Sequence, residues 1–234
     1  MTPLADAVGD VHQEAPLDLM LTSIGGDGET SLRMASMCHS ERDDFSIIVA
    51  DLAASAATLL SLAAEKIVMS DTSALGPIDP QVLLEQRHQY FPAKEVVAIV
   101  NDLDERTKTN PQAFELYATL LADIDAVIYQ TAKASIRRTE ELVPELLQLR
   151  RNPPSLDCSK RIVQQLQSHA MHSATIGHHQ ASQLGLPIEY LSPQSERWQS
   201  LWRLHAHYVA LAGPYPTDTV IIEGPKVSFH FKAM

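Results

Sequence analysis

Two short segments of this 234-residue chain combine residue types that do chemistry. The first is Ser23-Ile24-Gly25-Gly26-Asp27-Gly28, which follows an apolar run and precedes a helical pattern. Glycines at such a turn let backbone N–H groups face a ligand, and the helix N-terminus adds positive potential. The loop can bind a phosphate or form half of an oxyanion hole, and a plain tight turn explains it too. The second is Ala53-Ala54-Ser55-Ala56-Ala57-Thr58, again where a strand pattern gives way to a helical one. Ser55 can be a simple N-cap there. It can also be a nucleophile whose Oγ sits at the helix N-terminus, where the dipole and N–H groups favour developing negative charge.

Placing those segments requires a strand before each and a helix after each. Residues 17–22 are a short apolar run ending at Gly25-Gly26, which predicts a buried strand. Residues 30–39 carry helical apolar spacing, and 45–50 form a second, β-branched strand. Residues 54–64 are uniformly small and apolar, as in a buried helix. Residues 66–69 predict a third strand, and 73–80, with Gly76, Pro77 and Pro80, an ordered loop. This alternation implies right-handed crossovers and a mostly parallel sheet, an α/β fold.

The remainder is mostly helical. Residues 94–103 predict a helix, and 111–149 one long helical region with Pro144 as the candidate interruption. Arg151-Asn152-Pro153-Pro154 is the clearest break. Helices are expected at 159–169, 176–184 and 196–211, and strands at 187–191, 219–222 and 227–231. Residues 1–16 show no periodicity and read as a loose lead-in. Residues 17–192 read as the main domain, and 193–234 as a helix and strands of that same domain.

Three runs taken together are more specific. They are D-L-x-L-x-S-x-G-G from Asp18, A-A-S-A-x-T from Ala53, and K-I-V-M-S-D-T-S-A-L-G-P-I-D-P-Q from Lys66. Together they resemble the ClpP/crotonase superfamily of serine peptidases. Within it the chain looks closest to the serine dehydrogenase proteinase family, which is akin to signal peptide peptidase A. Residues 75–81 are the most diagnostic piece. His172-Ser173 and the run from Ala181 to Ile188 also fit. The resemblance implies a spiral of ββα units with helices outside, oligomerised, with no cofactor and no metal. It places Ser55 at the nucleophile position, the N–H groups of Gly26 and Ala56 in the oxyanion hole, and Gly25 at the turn that aims them. Two positions depart from the pattern: Ile24 stands where the family loop usually has Pro, and Ala57 where it usually has Gly.

The resemblance also frames the search for a base. The Clp proteolytic subunit uses a His about 25 residues after its Ser, a position held here by Pro80. Signal peptide peptidases use a Lys about 40 residues on, and Lys94 lies 39 after Ser55, behind Phe91-Pro92-Ala93. A register anchored on Pro92-Ala93 instead puts the family lysine near Asn101, and Lys94, Asn101 and Lys108 share one helical face. His88 lies in a solvated-looking segment. Asp79 and His172 stand as supporting residues, with capping of the Gly-Pro loop and core packing as their structural readings. His178-His179 have no Asp, Glu or Cys spaced to complete a metal site. His205 and His207 fall on different sides of a helix, and Cys38 reads as a small core residue.

The expected function is therefore peptide hydrolysis by a Ser/Lys peptidase. The alternatives are an inactive oligomeric scaffold and a crotonase-like acyl-CoA enzyme. The latter needs basic residues for the CoA phosphates, and the first 80 positions hold only Arg33, Arg42 and Lys66. With 29 acidic against 18 basic residues the net charge is −11, which argues against nucleic acid as a partner. The start of the chain lacks the basic and apolar regions of a secretory signal, and no apolar run reaches membrane-spanning length. Two cysteines make no disulfide framework, so a cytoplasmic setting is expected. Residues 111–149 hold more apolar positions than one buried face needs, which predicts a homo-oligomer acting on a peptide or protein substrate.

Overall fold

The computed structural model describes residues 3–9, 11, 15–167, 175–213 and 219–232. A parallel sheet is its frame. Strands β1 (Asp18–Met20), β2 (Ser46–Ile48), β4 (Lys66–Met69) and β8 (Ile188–Tyr190) lie side by side in that order. Register runs Leu19 to Ile47, Ile47 to Ile67, and Ile67 to Ile188. The two central strands are buried on both faces apart from Lys66, as expected of a parallel sheet covered by helices.

A second, shorter ladder is formed by segments that follow β1, β2 and β4. Ser23 bridges Ala53 in parallel, β3 (Leu52–Ala53) pairs with β5 (Ala74–Leu75), and Leu75 bridges Ile176 in antiparallel fashion. Each turn of the chain therefore runs from main strand to short ladder segment to helix. In the first turn the helix is α2 (Gly28–Glu41), and in the second it is α3 (Ala56–Leu62). This is the expected spiral of ββα units.

Helix α3 is buried along its whole length. Its uniformly small, apolar sequence permits that, but its backbone ends must then find partners inside the protein. At the C-terminal end His39 Nε2 lies 2.8 Å from the Ala63 carbonyl, and Arg150 Nε donates to Ala64 O at 2.9 Å. Along its side Ser31 Oγ donates to Ala56 O at 2.6 Å and Ser61 Oγ to Ala57 O at 2.8 Å.

The chain divides into two compact units, Met1–Pro77 with Leu142–Met234, and Ile78–Glu141. The second contains a hairpin of β6 (Gln81–Leu84) and β7 (Gln89–Pro92), then α4 (Ala93–Thr109), α5 (Phe114–Leu120) and the first turns of α6 (Ala126–Leu147). Val82, Ala93, Val96 and Ala132 make its core, with Phe91, Ile124 and Ile128 packed against it. The first unit is completed by α7 (Leu156–Gln167), α8 (His178–Gln183), α9 (Glu196–Ala212) and a hairpin of β9 (Thr219–Glu223) and β10 (Ser228–Lys232).

Two sequence expectations change, and one unassigned stretch gains structure. The region 111–149 is not one helix, and its break does not fall at Pro144, which sits inside α6. The break is at 121–125, where Asp125 Oδ1 accepts the Ile128 N–H at 2.7 Å and starts α6 as an N-cap does. The stretch after Pro80, to which the sequence assigned no element, forms the β6–β7 hairpin, in which β6 alternates buried Val82 and Leu84 with exposed Gln81 and Leu83. The lead-in contains a helix, α1 (Pro3–Gly9), with Leu4, Ala7 and Val8 buried against α2 and β9. Its packing partner is remote in sequence, so local periodicity could not show it.

That docking is testable. Val8 is 5% exposed, so Val8→Asp buries a carboxylate among apolar neighbours. Urea denaturation should show a loss of about 2 kcal/mol or more. An unchanged midpoint and slope would mean that α1 does not pack there.

Candidate active site

The site is built where β3 turns into α3. Ala54 N–H donates to Ser23 O at 2.9 Å, and Ser23 N–H to Leu52 O at 2.9 Å. These bonds lay the 23–28 loop alongside the residues that enter α3. Ser23 Oγ also accepts the Gly25 N–H at 3.1 Å, which tightens the loop. Asp27 then caps α2 by accepting the Thr30 N–H and hydroxyl, both at 2.8 Å. The bonds from Thr30 hold the Asp27 carboxyl below its ordinary pKa.

Ser55 stands at the N-cap of α3, but not as a capping serine. Its φ is +51° and ψ −116°, and its side chain makes no capping bond. A non-glycine residue in that conformation costs on the order of 1–3 kcal/mol and persists only where its surroundings fix it. Two glycines fix this one. A Cβ on Gly25 would lie 2.7 Å from Ser55 Cβ and 3.2 Å from its Oγ, and Gly25 itself has φ +119°. A Cβ on Gly76 would lie 2.7 Å from Ala54 Cβ and 3.4 Å from Ser55 N. Backbone thus approaches the serine from both sides, where no larger residue fits.

The strained turn keeps the half-buried Ser55 hydroxyl off the first-turn N–H groups. Ala56 begins α3, where a helix leaves its first N–H groups without intrahelical acceptors. Gly26 follows Gly25 directly. The structure therefore sets Gly25 against Ser55, and Ala56 follows Ser55 at the head of α3 in the first unit. Chemically, a free hydroxyl beside backbone N–H groups at a helix N-terminus suits attack on a carbonyl and stabilisation of the oxyanion formed.

The remaining candidates belong to other elements. Asp79 is buried and Lys94 half-buried in the first turn of α4, both in the second unit. Lys108 is exposed on the last turn of α4, 2.8 Å from both Asp104 and Glu105, and these carboxylates raise its pKa. That ammonium is held charged, which unsuits it as a base. His88 is exposed with φ +51° at the turn of the β6–β7 hairpin. Asn101 accepts the Tyr129 hydroxyl at 3.0 Å. His172 lies outside the described residues. His178 Nε2 is 3.3 Å from Asp71 Oδ1, and His205 Nδ1 is 3.3 Å from Thr22 Oγ1, so both rings are engaged within the first unit. No group of metal-ligating residues is assembled among the described residues.

Two contributors carried no role in the sequence reading. Gly76 walls the far side of the serine. Thr58 is fully buried, and its hydroxyl contacts Gly76 and the Ala53 carbonyl. The signal was present as a glycine before proline and a Thr three residues after the Ser, but neither spacing says what the residue touches.

Cys38 is fully buried, and burial pushes its thiol up to about 11, whereas Cys158 is partly exposed. Iodoacetamide at pH 8 should therefore modify the folded chain at Cys158 alone, as read by peptide mass mapping. Modification of Cys38 at a comparable rate would contradict the packing of α2.

Comparison with known proteins gives the family of the chain. Residues 4–207 match the model of ClpP-like SDH-type serine proteinases. Among curated proteins the chain is similar to two uncharacterized proteins of Methanocaldococcus jannaschii. It is 26% identical to MJ0137 over 215 residues, covering 90% of this chain and 67% of that protein. It is 24% identical to MJ1495 over 135 residues, covering 58% of this chain and 39% of that protein. No solved structure matches the chain.

Proposed function

The chain belongs to the ClpP-like SDH-type serine proteinase family, and on that premise we propose that it hydrolyses peptide bonds with Ser55 as nucleophile. The observation that carries the proposal is the strained Ser55 at the head of a buried helix, pressed against Gly25. In this reading the Lys94 amine takes the Ser55 proton as Oγ attacks the scissile carbonyl carbon. The Gly26 and Ala56 N–H groups hold the resulting oxyanion. Collapse expels the amine, which receives the proton from Lys94, and leaves an acyl-Ser55. Water, losing its proton to Lys94, then attacks the ester, and the departing Ser55 Oγ takes that proton back from Lys94. Asp79 and His172 are proposed to support this frame.

Lys94 is favoured by its spacing from Ser55, its half-buried place in the first turn of α4, and the unsuitability of Lys108. The substrate is a peptide or protein. Two free thiols, one of them buried, fit a reducing, cytoplasmic setting. No described helix is long and apolar enough to cross a membrane.

Kinetics of an unstructured protein substrate test the assignment. Ser55→Ala and Lys94→Ala should each lower kcat about 10³-fold or more and to the same floor, as members of one unit do. Lys108→Gln and His88→Ala should leave it unchanged. Activity surviving in Lys94→Ala while absent in Ser55→Ala gives the proton to another group.

The same reading includes a homo-oligomer. In the second unit Phe114, Leu116, Leu120 and Val127 are 60%, 59%, 61% and 72% exposed. Such a run of large apolar side chains in water favours a further subunit over it. Light scattering at micromolar concentration should give a mass of at least two chains, and a monomer mass would contradict this.

A further inference from the structure

Thr58 lies one turn into α3 and is fully buried, with its hydroxyl at the centre of a closed polar knot. Its Oγ1 is 2.7 Å from the Ala53 carbonyl and 2.9 Å from the Gly76 carbonyl, and it accepts the Gly76 N–H at 3.1 Å. The Gly76 N–H also reaches the Ala53 carbonyl at 3.1 Å. One hydroxyl proton is thus shared between two carbonyls while the oxygen accepts a third bond. Ala53 is the last residue of β3 before the turn, and Gly76 is the backbone that packs against Ala54 and Ser55.

Those contacts divide the work between two hydroxyls. A serine at an N-cap ordinarily uses its oxygen to hold the first turn of its helix. Ser55 makes no such bond, and its backbone is in a conformation that nothing intrinsic to serine favours. The restraint must come from the chain on either side. Thr58 supplies it by tying the strand that enters the turn to the Gly76 loop that walls it.

We infer that Thr58 is a positioning residue whose hydroxyl sets the Ser55 turn and so leaves the Ser55 oxygen free to react. The inference rests on the reading of Ser55 as nucleophile. It goes beyond it in locating what holds that nucleophile in place. Val in place of Thr keeps the shape but takes the Thr58 donor from the buried Gly76 carbonyl and leaves Ala53 and Gly76 joined by a single hydrogen bond. The turn then relaxes, and displacement of about 1 Å at a reacting atom can cost about 10²-fold in rate.

The test compares variants per folded molecule, with folding followed by circular dichroism. Two rates are read: kcat for peptide hydrolysis and the rate of reaction with a fluorophosphonate. Thr58→Val should slow both about 10²-fold with KM within about 3-fold, and Thr58→Ser, which restores the hydroxyl, should return both to within about 3-fold of the unaltered chain. Ser61→Ala is the control for stability alone. It removes a buried hydroxyl bonded to Ala57 O at 2.8 Å on the same helix and should leave both rates unchanged. Wild-type rates in folded Thr58→Val, or a Thr58→Ser as slow as Thr58→Val, overturn the inference. If the valine variant does not fold, Thr58→Cys decides, because its thiol is a weak hydrogen-bonding group of similar size. Slowed labelling there supports the inference and unaltered labelling overturns it. An unaltered chain that neither cleaves nor labels overturns the nucleophile reading instead, and is told apart because no substitution is involved.

Discussion

The burial of one short helix constrains the rest of this site. Helix α3 has no exposed face, so both of its ends must be satisfied from within. At the C-terminal end His39 and Arg150 serve the last carbonyls. At the N-terminal end the chain enters from β3 through a residue with positive φ, an arrangement the parallel β3–β5 ladder and the Gly76 loop hold in place. A strain of about 1–3 kcal/mol is tolerable where the surrounding helix and strands bury this much apolar side chain. A surface helix would relax it.

The functional geometry follows from that constraint. Because φ is positive at Ser55, its hydroxyl is not drawn into capping. Because Gly25 has no side chain, the neighbouring loop can lie against the serine. Because α3 starts at Ala56, an N–H group with no helical acceptor and the positive end of the helix dipole lie beside the hydroxyl. The proposed nucleophile and the N–H groups proposed to hold the oxyanion belong to a single turn and one adjacent loop, both in the same compact unit.

Much of this was legible in the sequence. The strand-helix-strand-helix-strand order of the first 80 residues and the full burial of α3 followed from short apolar runs, and the core position of Cys38 from its residue type and its place in a helical apolar pattern. The strand-to-helix junctions that carry Gly25-Gly26 and Ser55 were legible because their residue types recur in a known pattern. Less was visible where partners are distant. Helix α1 takes its meaning from α2 and β9, and the β6–β7 hairpin has strands of four residues each, too short for local patterning to define. The break before α6 contains neither Gly nor Pro, only Asp125 as a cap. The roles of Thr58 and Gly76 depend on a contact across 18 residues, which no local spacing expresses.

The most direct measurement of the central claim is the site of covalent modification by a fluorophosphonate. The account predicts a single adduct in the folded chain, located on Ser55 by peptide mass spectrometry. It also predicts that urea-unfolded chain, in which nothing holds the turn, gains none. An adduct on another serine, or none on a chain shown to be folded, would contradict it.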